Sequence, residues 1–79
     1  LPQKMVNVRV AQRFDPFSRA DIVEAVRQAE AGLGDAGRIL LRASGTEPLI
    51  RVMAEGEDPA IIEMVVNDIV AEIKKSITG

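Results

Sequence analysis

Arg42 and Arg51 bracket a short run, Ala43-Ser44-Gly45-Thr46-Glu47-Pro48, that is rich in hydroxyls and poor in bulk. Those residue types suit an anion. Each guanidinium offers paired donors that match two oxygens of a phosphate, which a lysine ammonium does not. Ser44 and Thr46 add hydroxyl donors. Gly45 between them is free to take positive φ, so that successive backbone N–H groups turn inward as a nest for phosphate oxygens. The loop therefore reads as a clamp for a phosphomonoester, with Arg42, Ser44, Gly45, Thr46 and Arg51 as its binding residues. The plainer reading, a polar hairpin loop with two surface arginines, accounts for the same letters, because loops are polar by default. No base adjoins Ser44 in sequence to make it a nucleophile, so no catalytic residue is expected.

A clamp needs a scaffold, and the flanking stretches supply one. Leu49 to Glu55 alternates, with Ile50, Val52 and Ala54 on one face and Leu49, Arg51, Met53 and Glu55 on the other. Arg38 to Arg42 does the same, setting Ile39 and Leu41 against Arg38, Leu40 and Arg42. Period-two alternation marks half-buried strands. Both arginines fall in the outward sets, so a hairpin of these strands permits both guanidiniums on the solvent side near the loop.

The rest of the chain completes a small domain. Met5 to Val10 is an alternating strand with Val6, Val8 and Val10 inward. Asp15-Pro16 breaks the connector after it, with Phe14 and Phe17 expected to tuck against the sheet edge or a neighbouring segment. Ser18 with Asp21 resembles a capping box, and Ile22, Ala25, Val26 and Ala29 continue at helical spacing, predicting a helix over Arg19 to Ala31. Gly32-Leu33-Gly34-Asp35-Ala36-Gly37 supplies its left-handed cap and a loop. Asp58 as N-cap with Pro59 at the first helical position starts a second helix. Its stripe is Ile62, Val65, Val66, Ile69, Val70, Ile73 and Ile77. The order is β-α-β-β-α, an α+β class with a small sheet, a hairpin and both helices on one face. Periodicity leaves the strand order open.

Composition narrows the chemistry. Residues 1–79 make one domain, 47% hydrophobic and 28% charged, with neither cysteine nor histidine. Disulfides, thiolate or imidazole metal sites and histidine general bases are excluded. The aspartates Asp15, Asp21, Asp35, Asp58 and Asp68 are scattered over caps, loops and a helix face, so no metal site is expected. The net charge of −2 and two lone phenylalanines argue against a nucleic-acid partner, and no apolar run spans a membrane. No signal-like segment opens the chain, which makes the cytoplasm the default location. Leu1 in place of an initiating methionine suggests a segment of a longer polypeptide.

The run Arg42-Ala43-Ser44-Gly45-Thr46-Glu47-Pro48-Leu49-Ile50-Arg51-Val52-Met53-Ala54-Glu55 resembles the phosphate-binding loop in the C-terminal domain of the α-D-phosphohexomutases, in the form carried by the bacterial phosphoglucosamine mutases. Pro2-Gln3 followed by Val6-Asn7-Val8-Arg9 is similar to that domain's opening strand. Gly37-Arg38-Ile39-Leu40-Leu41 is similar to the strand entering the loop. Proline is frequent in the family where Ala43 stands. The resemblance implies a TATA-box-binding-protein-like fold, with no DNA function attached to it.

It further implies an isomerase that interconverts glucosamine 6-phosphate and glucosamine 1-phosphate for cell-wall amino-sugar precursors. In such an enzyme this loop grips the phosphate that is not being transferred. Arg42, Ser44, Gly45, Thr46 and Arg51 carry over as phosphate-binding residues. Glu47 supports them, its pairing with a loop arginine being favoured over contact with a sugar hydroxyl or amine. Asn7 and Arg9 are expected as surface or interdomain contacts. Magnesium and a phosphorylated serine are implied in upstream domains of the same polypeptide, and the isolated chain is expected to be inactive. A different class, a free-standing anion-binding or protein-interaction module, fits the loop without the catalytic parts.

Overall fold

A computed structural model describes residues 2–78, with the side chain of Ala36 and that of Thr78 outside the description. Three strands, β1 (Gln3–Arg9), β2 (Arg38–Ala43) and β3 (Leu49–Glu55), form one antiparallel sheet in the order β1-β3-β2. Helices α1 (Ala20–Leu33) and α2 (Pro59–Thr78) both pack on the same face of it. The alternation of β3 drives this arrangement. Ile50, Val52 and Ala54 are fully buried beneath the helices, whereas Arg51 points to solvent. Val8 and Leu41 extend the dry face into the outer strands, with Val6 and Ile39 half-buried beside them.

Helix α2 lies over β1 and β3 and presents Ile62, Val65, Val66, Ile69 and Ile73 to the sheet, all buried. Its start follows the sequence, since the Asp58 carboxylate accepts the Ala60 N–H at 3.0 Å and Pro59 opens the first turn. Helix α1 rests against α2 and β2 through Ile22, Val26 and Ala29. At about 1.5–3 kcal/mol for each fully buried branched side chain, this single interior is the main source of stability in so short a domain. The strand order settles what periodicity left open: β3, last in sequence, is central.

Two expectations at the start of α1 need correction. Ser18 does not cap the helix. Its hydroxyl donates instead to the Asp15 carbonyl at 2.6 Å within a 3₁₀ turn over Pro16–Ser18, and Arg19 stands at the N-cap without a side-chain bond. The Asp15 carboxylate accepts the Phe17 N–H at 2.9 Å, so this preceding turn captures the serine before the helix can use it. Phe17 is 53% exposed, while Pro16 is the residue buried from that turn and Phe14 half-buries against the core. In a turn this tight, consecutive side chains diverge by about a third of a revolution, so burying Pro16 sends Phe17 outward. Val10 lies one residue past β1 and is buried all the same.

Gly34 closes α1 with φ of 70°, as the glycine cluster leads one to expect. Gly37 has a different reason to lack a side chain. Its backbone is ordinary extended chain, but a Cβ there would stand 2.9 Å from the Glu55 carbonyl oxygen and 2.9 Å from the Leu33 Cβ. Gly37→Ala is therefore an overpacking mutation, expected to cost about 1–3 kcal/mol. Thermal melts check it: a fall of at least about 4 °C is expected for a domain of this size, and an unchanged melting temperature would show that the α1–β2 connection simply gives way.

The helix ends are tied through acid groups. The Ser76 hydroxyl donates to the Asp21 carboxylate at 2.7 Å, joining the end of α2 to the start of α1. That bond, aided by the Ile22 N–H and the Arg19 charge, holds the Asp21 carboxyl below its ordinary value. Hydrogen bonds from Arg27 and Gln28 lower Glu24 to about 2. Both folded values lie below the unfolded ones, so these groups stabilise the fold above the unfolded carboxylate range, and the contribution is lost as pH falls through the folded values. The melting temperature is expected to decline on acidification below about pH 4. Ser76→Ala should raise the Asp21 midpoint in a carboxyl-detected NMR titration, and an unmoved midpoint would refute the tie.

Candidate anion-binding site

The β2–β3 register sets Arg42 directly opposite Arg51, with both side chains on the helix-free face of the sheet and exposed. Directly opposed like charges in a sheet are unfavourable by a few tenths to about 1 kcal/mol. The contrast with the neighbouring arginine is instructive. Arg38, also on β2, stands opposite Glu55 in the same ladder and forms an ion pair with it. Arg42 faces only another arginine, and among the described residues its guanidinium has no side-chain partner. Two positive groups are thus held side by side without a carboxylate to neutralise them.

Residues 44–48 close the hairpin over this pair. The Ser44 N–H donates to the Leu49 carbonyl at 2.9 Å, and the Leu49 N–H returns to the Glu47 carbonyl at 2.8 Å. The Ser44 hydroxyl oxygen accepts the N–H groups of Thr46 and Glu47, at 3.3 and 3.2 Å. Those two backbone donors consequently converge on one small region beside the arginines. Ser44 serves here as acceptor, and its own hydroxyl proton still leaves it a donor. The turn is fixed from the far side as well, since the Val10 N–H donates to the Pro48 carbonyl at 2.8 Å.

Asn7, Arg42, Ser44, Gly45, Thr46, Glu47 and Arg51 share an open cleft of about 450 Å³. All five residues read from sequence as clamp members therefore come together. Three details differ from expectation. Gly45 does not adopt positive φ; among the described residues Gly34 alone does. The hydroxyl of Ser44 organises the turn, so no left-handed residue is needed to direct the N–H groups. Glu47 approaches Arg9 of β1 at 3.9 Å and neither loop arginine, which draws its carboxylate away from the pair. Asn7 is no mere surface residue: its Oδ1 accepts the Arg51 Nε–H at 3.3 Å.

The signal for Asn7 lay in the alternation of β1, which puts Asn7 on the same outward face as Arg51, but only the strand order makes them neighbours. No group of three or more acidic or other metal-ligating side chains assembles among the described residues. Asp15 and Asp58 are engaged as caps and Asp21 by Ser76. Among the described residues no helix is long and apolar enough to cross a membrane.

Gly45 supplies a test of this local geometry. A Cβ built there meets nothing within 4 Å, and its φ is not in the left-handed region. Gly45→Ala is expected to leave stability unchanged or to raise it by about 0.4–1 kcal/mol, by restricting the unfolded chain. A melting temperature several degrees lower would mean that the loop visits a positive-φ conformation at this residue.

Comparison with known proteins accords with this architecture. A family model described as the phosphoglucomutase/phosphomannomutase C-terminal domain matches residues 5–72. Phosphoglucosamine mutase of Marinobacter nauticus is 68% identical over 76 residues, covering 96% of this chain and 17% of that protein. The phosphoglucosamine mutase of Paracoccus denitrificans is 50% identical with the same coverage, so the chain spans 17% of the length of each. A crystal structure of Aspergillus fumigatus N-acetylphosphoglucosamine mutase in complex with GlcNAc-6P and magnesium shares the fold, at a TM-score of 0.77 and 23% identity over 98% of this chain and 16% of that one. With a family model covering most of its length and relatives this similar, the chain belongs to the phosphoglucomutase/phosphomannomutase family, as its C-terminal domain.

Proposed function

We propose that this domain grips the phosphate group of a hexosamine phosphate within a phosphoglucosamine mutase, a cytoplasmic isomerase that interconverts glucosamine 6-phosphate and glucosamine 1-phosphate. One observation carries the reading: two exposed guanidiniums opposed across a strand pair, with no carboxylate between them, beside backbone N–H groups that converge on the Ser44 hydroxyl. An anion with several oxygens relieves the repulsion of Arg42 and Arg51 and accepts from both at once. Ser44 and Thr46 contribute hydroxyls, and the bare Gly45 lets an oxygen approach the backbone closely. The names of the relatives supply the sugar.

The domain binds and orients; it transfers nothing. A reaction that moves a phosphoryl group between two ends of one sugar passes through a bisphosphate that must turn around. The loop therefore holds whichever phosphate is not reacting, first at one end of the sugar and then at the other. Reversible charge-assisted hydrogen bonds suit that task, where a covalent bond would not. On this reading the phosphorylated serine and the magnesium ion of such a reaction are supplied by other domains of the polypeptide.

Titration of the chain followed by amide NMR tests the reading. Glucosamine 6-phosphate and inorganic phosphate are expected to shift Ser44, Gly45 and Thr46, while glucosamine leaves them in place. Equal shifts with glucosamine would sink phosphate as the recognised group. In the complete mutase, Arg42→Lys keeps the charge but loses the paired donor face. It should lower kcat/KM about tenfold to a hundredfold in both directions, from the loss of a charge-assisted hydrogen bond.

A further inference from the structure

We infer that Asn7 is a positioning residue for the anion site, one that fixes the guanidinium of Arg51 by its Nε–H and thereby commits the opposite end of that group to the ligand. This deepens the proposed phosphate-binding function and rests on it. Asn7 and Arg51 are directly opposed in the β1–β3 ladder, and both line the cleft at the loop. The bond is 3.3 Å long, between the Asn7 Oδ1 and the Arg51 Nε. Its sense is chemically forced. A guanidinium only donates, so the amide oxygen must face it and the amide nitrogen must face elsewhere.

The consequence lies in which edge of the guanidinium remains. An arginine can offer two oxygens either its Nε side or its Nη1/Nη2 end. Asn7 occupies the Nε side, leaving the end-on pair for the anion. A long, exposed arginine beside a second positive charge has many rotamers available, and ordering it costs on the order of a kcal/mol or more of side-chain entropy. A neutral acceptor from the adjacent strand pre-orders it without cancelling its charge. An aspartate at position 7 would hold Arg51 as firmly but would place a negative charge in the anion cleft. The nearby Glu47 carboxylate leans to Arg9 and not to Arg51, so Asn7 is the one side chain that holds Arg51 among the described residues.

Asn7 is exposed, so substitution there leaves the fold intact. The test compares the parent chain with Asn7→Ala, Asn7→Asp, Arg51→Lys and the Asn7→Ala/Arg51→Lys pair. Two readouts are followed: hydrogen exchange of the arginine Nε–H groups by ¹⁵N NMR, and affinity for inorganic phosphate and glucosamine 6-phosphate. In Asn7→Ala, exchange at Arg51 should accelerate severalfold while exchange at Arg42 stays the same, and both ligands should bind about threefold to tenfold more weakly. In Asn7→Asp, the Arg51 Nε–H should remain protected while phosphate binding falls. Once Arg51 is lysine, Asn7→Ala should cost no further affinity, which a merely structural role would not reproduce.

Unchanged exchange at Arg51 in Asn7→Ala, or an equal loss of affinity in the Arg51→Lys background, would overturn the inference. So would a parent chain that binds phosphate measurably but no better than Asn7→Ala does. A parent chain with no affinity for phosphate at all would instead overturn the proposed function, and would leave the Asn7 contact with no ligand to serve.

Discussion

Everything at the loop depends on the strict alternation of β3. Ile50, Val52 and Ala54 have no exposed surface, and each occupies the dry face between two other strands. A slip of one residue in either ladder would exchange that whole set for Leu49, Arg51 and Met53, placing an arginine under α2. The cost of burying an unpaired guanidinium far exceeds any local gain, so a one-residue slip is excluded. The position of Arg51 in water, opposite Arg42 on one side and Asn7 on the other, is thus fixed by apolar residues that touch no ligand.

That rigidity lets the domain carry an electrostatic misfit. Opposed arginines cost up to about 1 kcal/mol, against about 1.5–3 kcal/mol contributed by a single fully buried valine or isoleucine. The core outweighs the misfit several times over. Two pleat repeats away, Arg38 is matched by Glu55, so the same strand pair carries one neutralised arginine and one, Arg42, that faces a like charge. On the helices, Glu24 is paired with Arg27 within α1, and Asp21 accepts from Ser76 of α2. At the loop, by contrast, Arg51 is exposed with the neutral Asn7 as its side-chain partner.

The elements were largely legible in the sequence because each announces its own period. β3 follows its alternation to the residue, and α2 starts where Asp58 and Pro59 place it. Local competition was harder to read. Ser18 has the right spacing for a capping box, yet a carbonyl in the preceding turn reaches its hydroxyl first. The five residues read as a clamp line one cleft with little help from the fold, since they lie in one short run of the chain. Asn7 was not legible in this way, because its role comes from the strand order β1-β3-β2, which no single-strand pattern encodes. Glu47 misled for the same reason: its partner, Arg9, lies on that distant strand and not in the loop.

The central place of β3 also bears on the order in which the domain assembles. Arg42 and Arg51 meet by closing only the loop at residues 44–48, whereas Asn7 and Arg51 are separated by 44 positions that include α1 and β2. Loop-closure entropy rises by about 0.6 kcal/mol for each doubling of length, and pairings remote in sequence are made slowly. On that entropic ground the hairpin forms ahead of the sheet. The two guanidiniums are expected to be brought together first, mobile and mutually repelling, with the strand that orients one of them docking afterwards, so that a charged turn becomes an ordered one as β1 joins the sheet.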